Sequence, residues 1–126
     1  MHDMNLIAAW FAILTGLLTG TAIGLFFHDP DWMGGYGSWR RRMMRLGHIS
    51  FFGTGFLNLA FVLSVEHLHL SETPLVASAG FVLGAVSMPL VCFLSAWRPP
   101  FRRLFFIPVA SLIVATCDFL LLELWR

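Results

Sequence analysis

The sequence is poor in charge: Asp, Glu, Lys and Arg make up 12% of its 126 residues, and Lys is absent. An ordinary soluble domain has about 25% charged and roughly 45–50% apolar residues, whereas 58% of this chain is apolar, with 13 Phe and 5 Trp. A soluble globule of this size buries only about two-thirds of its unfolded surface, so many of these side chains would face water. The composition therefore argues against a soluble monomer and for a lipid environment.

The low Cys content and low net charge exclude further classes of protein. Two Cys are too few for a disulfide-framed secreted domain, and a formal net charge of +1 gives no basic surface for nucleic acid. The high apolar content also excludes a disordered chain. Cys92 and Cys117 are predicted at different depths and therefore unpaired, and the lack of a Cys-x-x-Cys motif disfavours a disulfide oxidoreductase.

What the sequence has in abundance is long apolar runs. Four stretches contain at most one charged residue: 4–27, 46–65, 73–97 and 104–122. A bilayer core of about 30 Å requires about 20 such residues in a helix, and barrel strands would alternate polar and apolar residues, which these runs do not. The sequence predicts an all-α integral membrane four-helix bundle. It is a single domain over 1–126, with spans at about 4–27, 46–69, 73–97 and 104–124.

The arginines predict the orientation of these spans. Seven of the eight lie in the first and third loops, which four antiparallel helices place on one side: Arg40, Arg41, Arg42, Arg45, Arg98, Arg102 and Arg103. By the positive-inside rule this side is cytoplasmic. We therefore expect a multi-pass protein of a bacterial inner membrane, with both termini outside and the loop over 28–45 inside.

The first loop has two parts. Residues 28–37 contain one Pro, three Gly and two Asp, which favour turns, and Ser38 can then cap a helix that leads into the second span. We expect the arginines of this helix to reach phospholipid headgroups, or alternatively to bind an anionic ligand such as a cofactor carboxylate. In the third loop, Pro99 and Pro100 predict a rigid turn.

Small residues at four-residue spacing indicate where helix backbones can approach each other in lipid. The first span carries Gly16, Gly20 and Gly24, and the third carries Gly80 and Gly84. The two rows predict tight packing of the first span against the third. A contact between two copies of the chain is the alternative.

Two histidines flank the first loop and suggest a haem site. His28 and His48 could ligate a b-type haem iron from adjacent helices, and Arg45 could bind a propionate. Histidine is also stable at a membrane interface without any ligand. Both interpretations stay open from the sequence.

A second polar cluster is expected at the outer end. Glu66, His67 and His69 end the second span, and His2, Asp3, Asp118 and Glu123 could join them. Such ligands suit Zn²⁺ or Cu²⁺, although His67 and His69 point about 160° apart on a regular helix. Asp118, Glu66 and Asn58 could instead relay protons or form a buried polar cluster, and Asp118 is the carboxylate placed deepest in the bilayer.

These features leave three functional classes. The sequence contains no constellation of nucleophile, base and orienting group, so we expect a small non-catalytic accessory subunit or assembly factor, most naturally in respiratory electron transfer. Its partners would be the lipid bilayer, other membrane subunits or a second copy, and not nucleic acid. The alternatives are a b-type haem-binding membrane cytochrome and a small oligomeric transporter or channel.

Overall fold

The computed structural model describes residues 2–125, with all of their side chains except those of His2 and Glu123. Four helices account for most of these residues. They are α1 (His2–Phe26), α2 (Trp39–His67), α3 (Leu75–Trp97) and α4 (Phe106–Phe119). Four helical segments, the last including the short helices that flank α4, are long and apolar enough to cross a membrane. The predicted all-α four-helix transmembrane architecture is therefore confirmed.

The helices start and stop close to the predicted positions, with α2 as the main exception. The α2 helix begins at Trp39, well before the apolar run, because Ser38 caps it: the Ser38 hydroxyl accepts a hydrogen bond from the Arg41 amide at 3.1 Å. This confirms the predicted cap. At its other end α2 stops at His67, and a turn that includes His69 in the left-handed region (φ 52°) leads towards α3.

The connection between α3 and α4 is helical rather than a simple turn. Residues Pro99–Phe105 form a 3₁₀ helix with prolines in its first turn, where their missing amide hydrogens cost nothing. The fourth span continues beyond α4 as a short π-helical segment, Leu120–Leu124. A rigid connection and a continuous fourth span follow from these segments.

The helices pack in chain order, with α2 and α3 at the centre. The α1 helix packs mainly on α2 and less on α3, while α4 packs on α3. Within their most apolar windows, α2 and α3 bury 39% and 44% of their residues, against 22% for α1 and 17% for the segment containing α4. The outer helices therefore turn most of their apolar surface away from the bundle.

The predicted tight packing of α1 against α3 through their glycines is wrong, because each row contacts the neighbour in sequence. Gly16 and Gly20 lie against Phe52 and His48 of α2. In the other row, the backbone at Gly80 closes on α4, where an added Cβ would lie 2.7 Å from the Ala115 Cβ; Gly84 lies against Leu112. Gly24 has no neighbour within 4 Å of an added Cβ, so the prediction of a packing role for it is also wrong.

The bundle has two chemically different ends. The arginine-rich end comprises the connections over 27–38 and 98–105, and the terminal end comprises the start of α1, the turn over 68–74 and the end of α4. An apolar core lies towards the terminal end; it consists of Phe61, Val65, Ala77, Phe81, Ala115 and Phe119. Both cysteines are free, as predicted; Cys92 is buried, whereas Cys117 is exposed and the expectation that both thiols are buried is wrong for it.

Candidate functional site

A buried polar cluster joins three helices near the terminal end. The amide nitrogen of Asn5 donates to Asn58 Oδ1 at 2.9 Å and to the Ser78 carbonyl oxygen at 3.1 Å, while the Ser78 hydroxyl donates to Asn5 Oδ1. Asn58 donates in turn to the carbonyl oxygens of Thr54 and Phe81, at 2.9 and 3.0 Å. All three polar side chains are fully buried. We call Asn5, Asn58 and Ser78 the amide triad.

The amide triad has no spare hydrogen-bonding group on its amide nitrogens. Each Asn has two N–H donors, and both donors of each are paired, so the cost of burying these groups in an apolar medium is offset. The sequence predicted a buried polar role for Asn58 but not its partners. Asn5 could have been singled out from the sequence, because an amide side chain one turn into an apolar span costs free energy unless it has a hydrogen-bond partner.

Asp118, the carboxylate predicted to lie deep in the fourth span, is half-buried and bonded to α3. One of its oxygens accepts from the backbone amide of Ala77 at 3.2 Å. Ala77 lies in the first turn of α3. The residue before this helix is Pro74, whose side chain makes no capping hydrogen bond. A carboxylate at the positive end of a helix is stabilising. Asp118 therefore caps α3 from the neighbouring helix.

The predicted metal cluster does not assemble among the side chains described. Glu66, His67 and His69 are all exposed at the end of α2 and in the turn after it. Within the described residues, no three His, Cys, Asp or Glu side chains lie close enough together to hold a metal ion. His2 and Glu123, which the prediction also named, lie outside the described side chains. Asp3 is exposed at the start of α1.

The two histidines of the predicted haem site lie in different surroundings. His28 is exposed in the turn after α1, whereas His48 is half-buried between helices. The His48 ring packs over Gly20 and edge-on to Phe52, with its Nδ1 atom 3.5 Å from the Thr19 hydroxyl. Small residues on α1 therefore make room for the imidazole itself. Neither histidine lines the apolar groove of about 480 Å³ between α1 and α3.

Arg45, the predicted propionate ligand, turns towards the loop. Its guanidinium donates to the Tyr36 carbonyl oxygen at 3.4 Å. Two residues at the start of α2 instead bind the end of α3: the Trp39 indole donates to the Ser95 carbonyl oxygen at 2.9 Å, and Arg40 Nε to that of Ala96 at 3.2 Å. This part of α2 is therefore fastened to α3 rather than free.

Arg41 departs most from its prediction, because its side chain is fully buried instead of reaching headgroups. Its guanidinium donates to the carbonyl oxygens of Phe27, Asp29 and Pro30 at 3.0, 3.0 and 3.3 Å. The Tyr36 ring centroid lies 3.8 Å from the guanidinium carbon; those of Phe27 and Trp32 lie 4.7 and 5.5 Å away. We call this arrangement the Arg41 cage.

The loop closes over Arg41 because its backbone reverses sharply after Trp32. Met33, Gly34 and Gly35 all have positive φ angles, of 58°, 86° and 90°. Glycine adopts such angles without steric cost, which explains the Gly-Gly pair at this point. The partners of the guanidinium are neutral carbonyls and aromatic rings, so the loop is held by hydrogen bonds and cation–π contacts.

An apolar groove of about 480 Å³ lies between α1 and α3 and is also lined by Phe51 of α2. Its single hydroxyl belongs to Thr15 and donates back to the Phe11 carbonyl oxygen at 2.7 Å. The bundle therefore offers three features for function: a paired polar interior, a caged arginine and an apolar groove. No known protein family, curated protein or solved structure shows a significant match to this chain.

Proposed function

We propose that this protein is a small non-catalytic accessory subunit or assembly factor of a bacterial inner-membrane complex. We further propose that the arginine-rich end is cytoplasmic, because seven of the eight arginines lie at that end, four in the first two turns of α2 and three in the connection between α3 and α4. The observation that supports the role is that the amide triad and Asp118 are occupied in joining the helices of the bundle.

Catalytic and transport sites keep polar groups available to a substrate or an ion. Here every amide donor of Asn5 and Asn58 is paired within the bundle, three of the four with a neighbouring helix, and the Asp118 carboxylate caps α3. Polar groups used in this way favour a rigid structural role over a catalytic or transport role.

The outer helices provide the surfaces for lateral contact. Trp10 and Phe11 on α1 are exposed, as are Phe106 and Ile113 on α4. Large aromatic and aliphatic side chains on helices that pack on few neighbours suit contact with lipid or with another membrane subunit.

We propose electron transfer as the setting because the histidines cluster near the ends of the predicted spans.

The orientation is tested by labelling cysteines in intact cells with a membrane-impermeant maleimide. Gly37→Cys lies in the first connection, where an added Cβ meets no atom within 4 Å, and Ser71→Cys lies in the exposed turn between α2 and α3. We expect Ser71→Cys to react in intact cells and Gly37→Cys only after permeabilisation. The reverse pattern would overturn the orientation.

The subunit role is tested by site-specific photocross-linking in the native membrane. Benzoylphenylalanine replaces Phe11 on α1 or Ile113 on α4, and Leu63 on α2 serves as an exposed control. We expect one edge position to give an adduct of a single discrete mass, and the same partner to remain at fixed stoichiometry after purification in mild detergent. Lipid adducts alone at all three positions would contradict the proposal.

The same preparation separates the two alternatives. A Soret band that travels with the isolated chain would identify a haem protein, and a reduced-minus-oxidised spectrum of the purified complex tests the electron-transfer setting. A colourless homo-oligomer that conducts ions in liposomes would identify a transporter or channel. Either result would replace the subunit proposal.

A further inference from the structure

The groove between α1 and α3 is long and apolar. Its walls extend from Met4 to Thr15 on α1 and from Val82 to Phe93 on α3, about 16 Å along each helix. Its volume is about 480 Å³. An unbranched hydrocarbon chain fits this shape.

The chemistry of the groove also selects a hydrocarbon. Its lining is aliphatic and aromatic, with Ile7 and Phe11 on one wall and Val86 and Leu90 on the other. The Thr15 hydroxyl donates its hydrogen bond within α1, so it offers no donor to a polar occupant. Filling an apolar pocket of this kind with a hydrocarbon is more favourable in free energy than filling it with water.

The groove leads towards a positive charge at the arginine-rich end. Val86, Leu90 and Phe93 repeat at intervals of three and four residues, and the same spacing continues the stripe to Trp97. Trp97 is 61% exposed, and the Arg98 guanidinium carbon lies 4.8 Å from its ring centroid. Tryptophan is the residue typical of the membrane interface. The apolar stripe therefore ends at an interfacial Trp that supports an exposed guanidinium.

We propose that this surface binds an anionic glycerophospholipid, with one acyl chain in the groove between α1 and α3 and the phosphate on Arg98 above Trp97. Charge complementarity favours this occupant: Arg102 and Arg103 are exposed in the next turn and add to the positive field. A phosphate accepts charge-assisted hydrogen bonds from a guanidinium, while burial of the acyl chain in the groove adds to the affinity. The inference does not depend on the accessory-subunit role.

The site is tested by native mass spectrometry of the full chain released from nanodiscs containing equal amounts of phosphatidylglycerol and phosphatidylcholine. We expect the unaltered protein to retain phosphatidylglycerol in preference. Arg98→Gln should lower this retention about tenfold, the effect of losing one charge-assisted hydrogen bond. Arg42→Gln removes an exposed arginine of α2 and should leave retention within about twofold of the original.

The chain-binding part of the proposal has its own variants. Val86→Trp fills the groove and should reduce retention of long-chain phosphatidylglycerol, whereas Val114→Trp, an equally large change on an exposed face of α4, should not. Dihexanoyl phosphatidylglycerol should bind more weakly than the long-chain lipid. If Val86→Trp fails to fold by circular dichroism, the chain-length comparison decides.

Three results would overturn the proposal. Equal retention of both lipids would show that the protein does not distinguish their headgroup charges. Displacement of the bound lipid by inorganic phosphate, together with no effect of chain length, would show a general anion site without a hydrocarbon site. A peptide adduct from a photoreactive residue at position 86, in place of a lipid adduct, would show that a protein partner occupies the groove.

Discussion

The terminal end and the arginine-rich end of the bundle use different chemistry to hold their parts together. At the terminal end, neutral amides and a hydroxyl form short hydrogen bonds across α1, α2 and α3. At the arginine-rich end, the fully buried Arg41 is held by backbone carbonyls and aromatic rings of a loop. The amide triad therefore fixes helix against helix, whereas the Arg41 cage fixes a connection.

The comparison predicts that the amide triad has the larger effect on global stability. Asn58→Leu removes an acceptor from Asn5 and leaves one of the two Asn5 side-chain N–H groups unpaired between helices. We expect the free energy of unfolding to fall by about 3 kcal/mol, the upper part of the range for an orphaned buried polar group. Unfolding in mixed micelles measures this loss. Ser64→Ala, which removes only an exposed bond within α2, is the control; an equal loss in both variants would contradict the account.

The Arg41 cage should control the loop more than the helices. Arg41→Lys keeps the charge but cannot reproduce a planar fork that reaches three carbonyl oxygens. We expect opening of residues 27–38 to become easier by about 2 kcal/mol, seen as roughly thirtyfold faster hydrogen exchange at the bonded amides of Gly35 and Ser38. Arg42→Lys, at an exposed position, should leave exchange unchanged. Protection that survives Arg41→Lys would show that other contacts hold the loop.

The glycines of α1 give a matched pair between a packed and an open position. Gly20→Ala would place a Cβ against the His48 ring, so α1 and α2 must separate or the ring must move. We expect a loss of about 1.5 kcal/mol in unfolding free energy. At Gly24 an added methyl meets no atom within 4 Å, so Gly24→Ala should cause no loss. Equal effects of the two substitutions would refute the placement of α1 on α2.

Asp118 should have the smallest effect of the four. Asp118→Ala removes the acceptor at the first turn of α3, and we expect a loss of about 1 kcal/mol, typical of a helix cap. Asp118→Asn keeps an oxygen and should lose about half as much. The unfolding free energy is the measurement, with Thr116→Val as the control on the exposed face of α4. A collapse of function with unchanged stability would assign Asp118 a chemical role instead.

Much of the architecture could be predicted because lipid imposes strong rules on sequence. The lengths of the apolar runs gave four spans, and the Ser38 cap has a local signature that needs no tertiary information. Four of the five glycines in the two rows are also genuine contact positions. Their partners could not be predicted, because spacing shows that a backbone can approach a neighbour but does not identify the neighbour.

The polar interior was harder to predict for a similar reason. Asn58 has a polar side chain on a known face, but its pairing with Asn5 depends on the relative heights of two helices. Arg41 differs from Arg40 and Arg42 only in the direction of its side chain. Composition and spacing therefore cannot distinguish the three arginines. The sequence also predicted Glu66 as a member of a buried polar cluster with Asn58, whereas Glu66 lies exposed at the end of α2.

A double-mutant cycle between Asn5 and Asn58 most directly tests whether the polar interior joins the helices. Asn5→Leu, Asn58→Leu and the double variant are unfolded in the same micelles. Direct bonding at 2.9 Å predicts a coupling free energy of about 1 kcal/mol, with the double variant losing less than the sum of the single losses. Strict additivity of the two losses would contradict the amide triad and the structural role assigned to it.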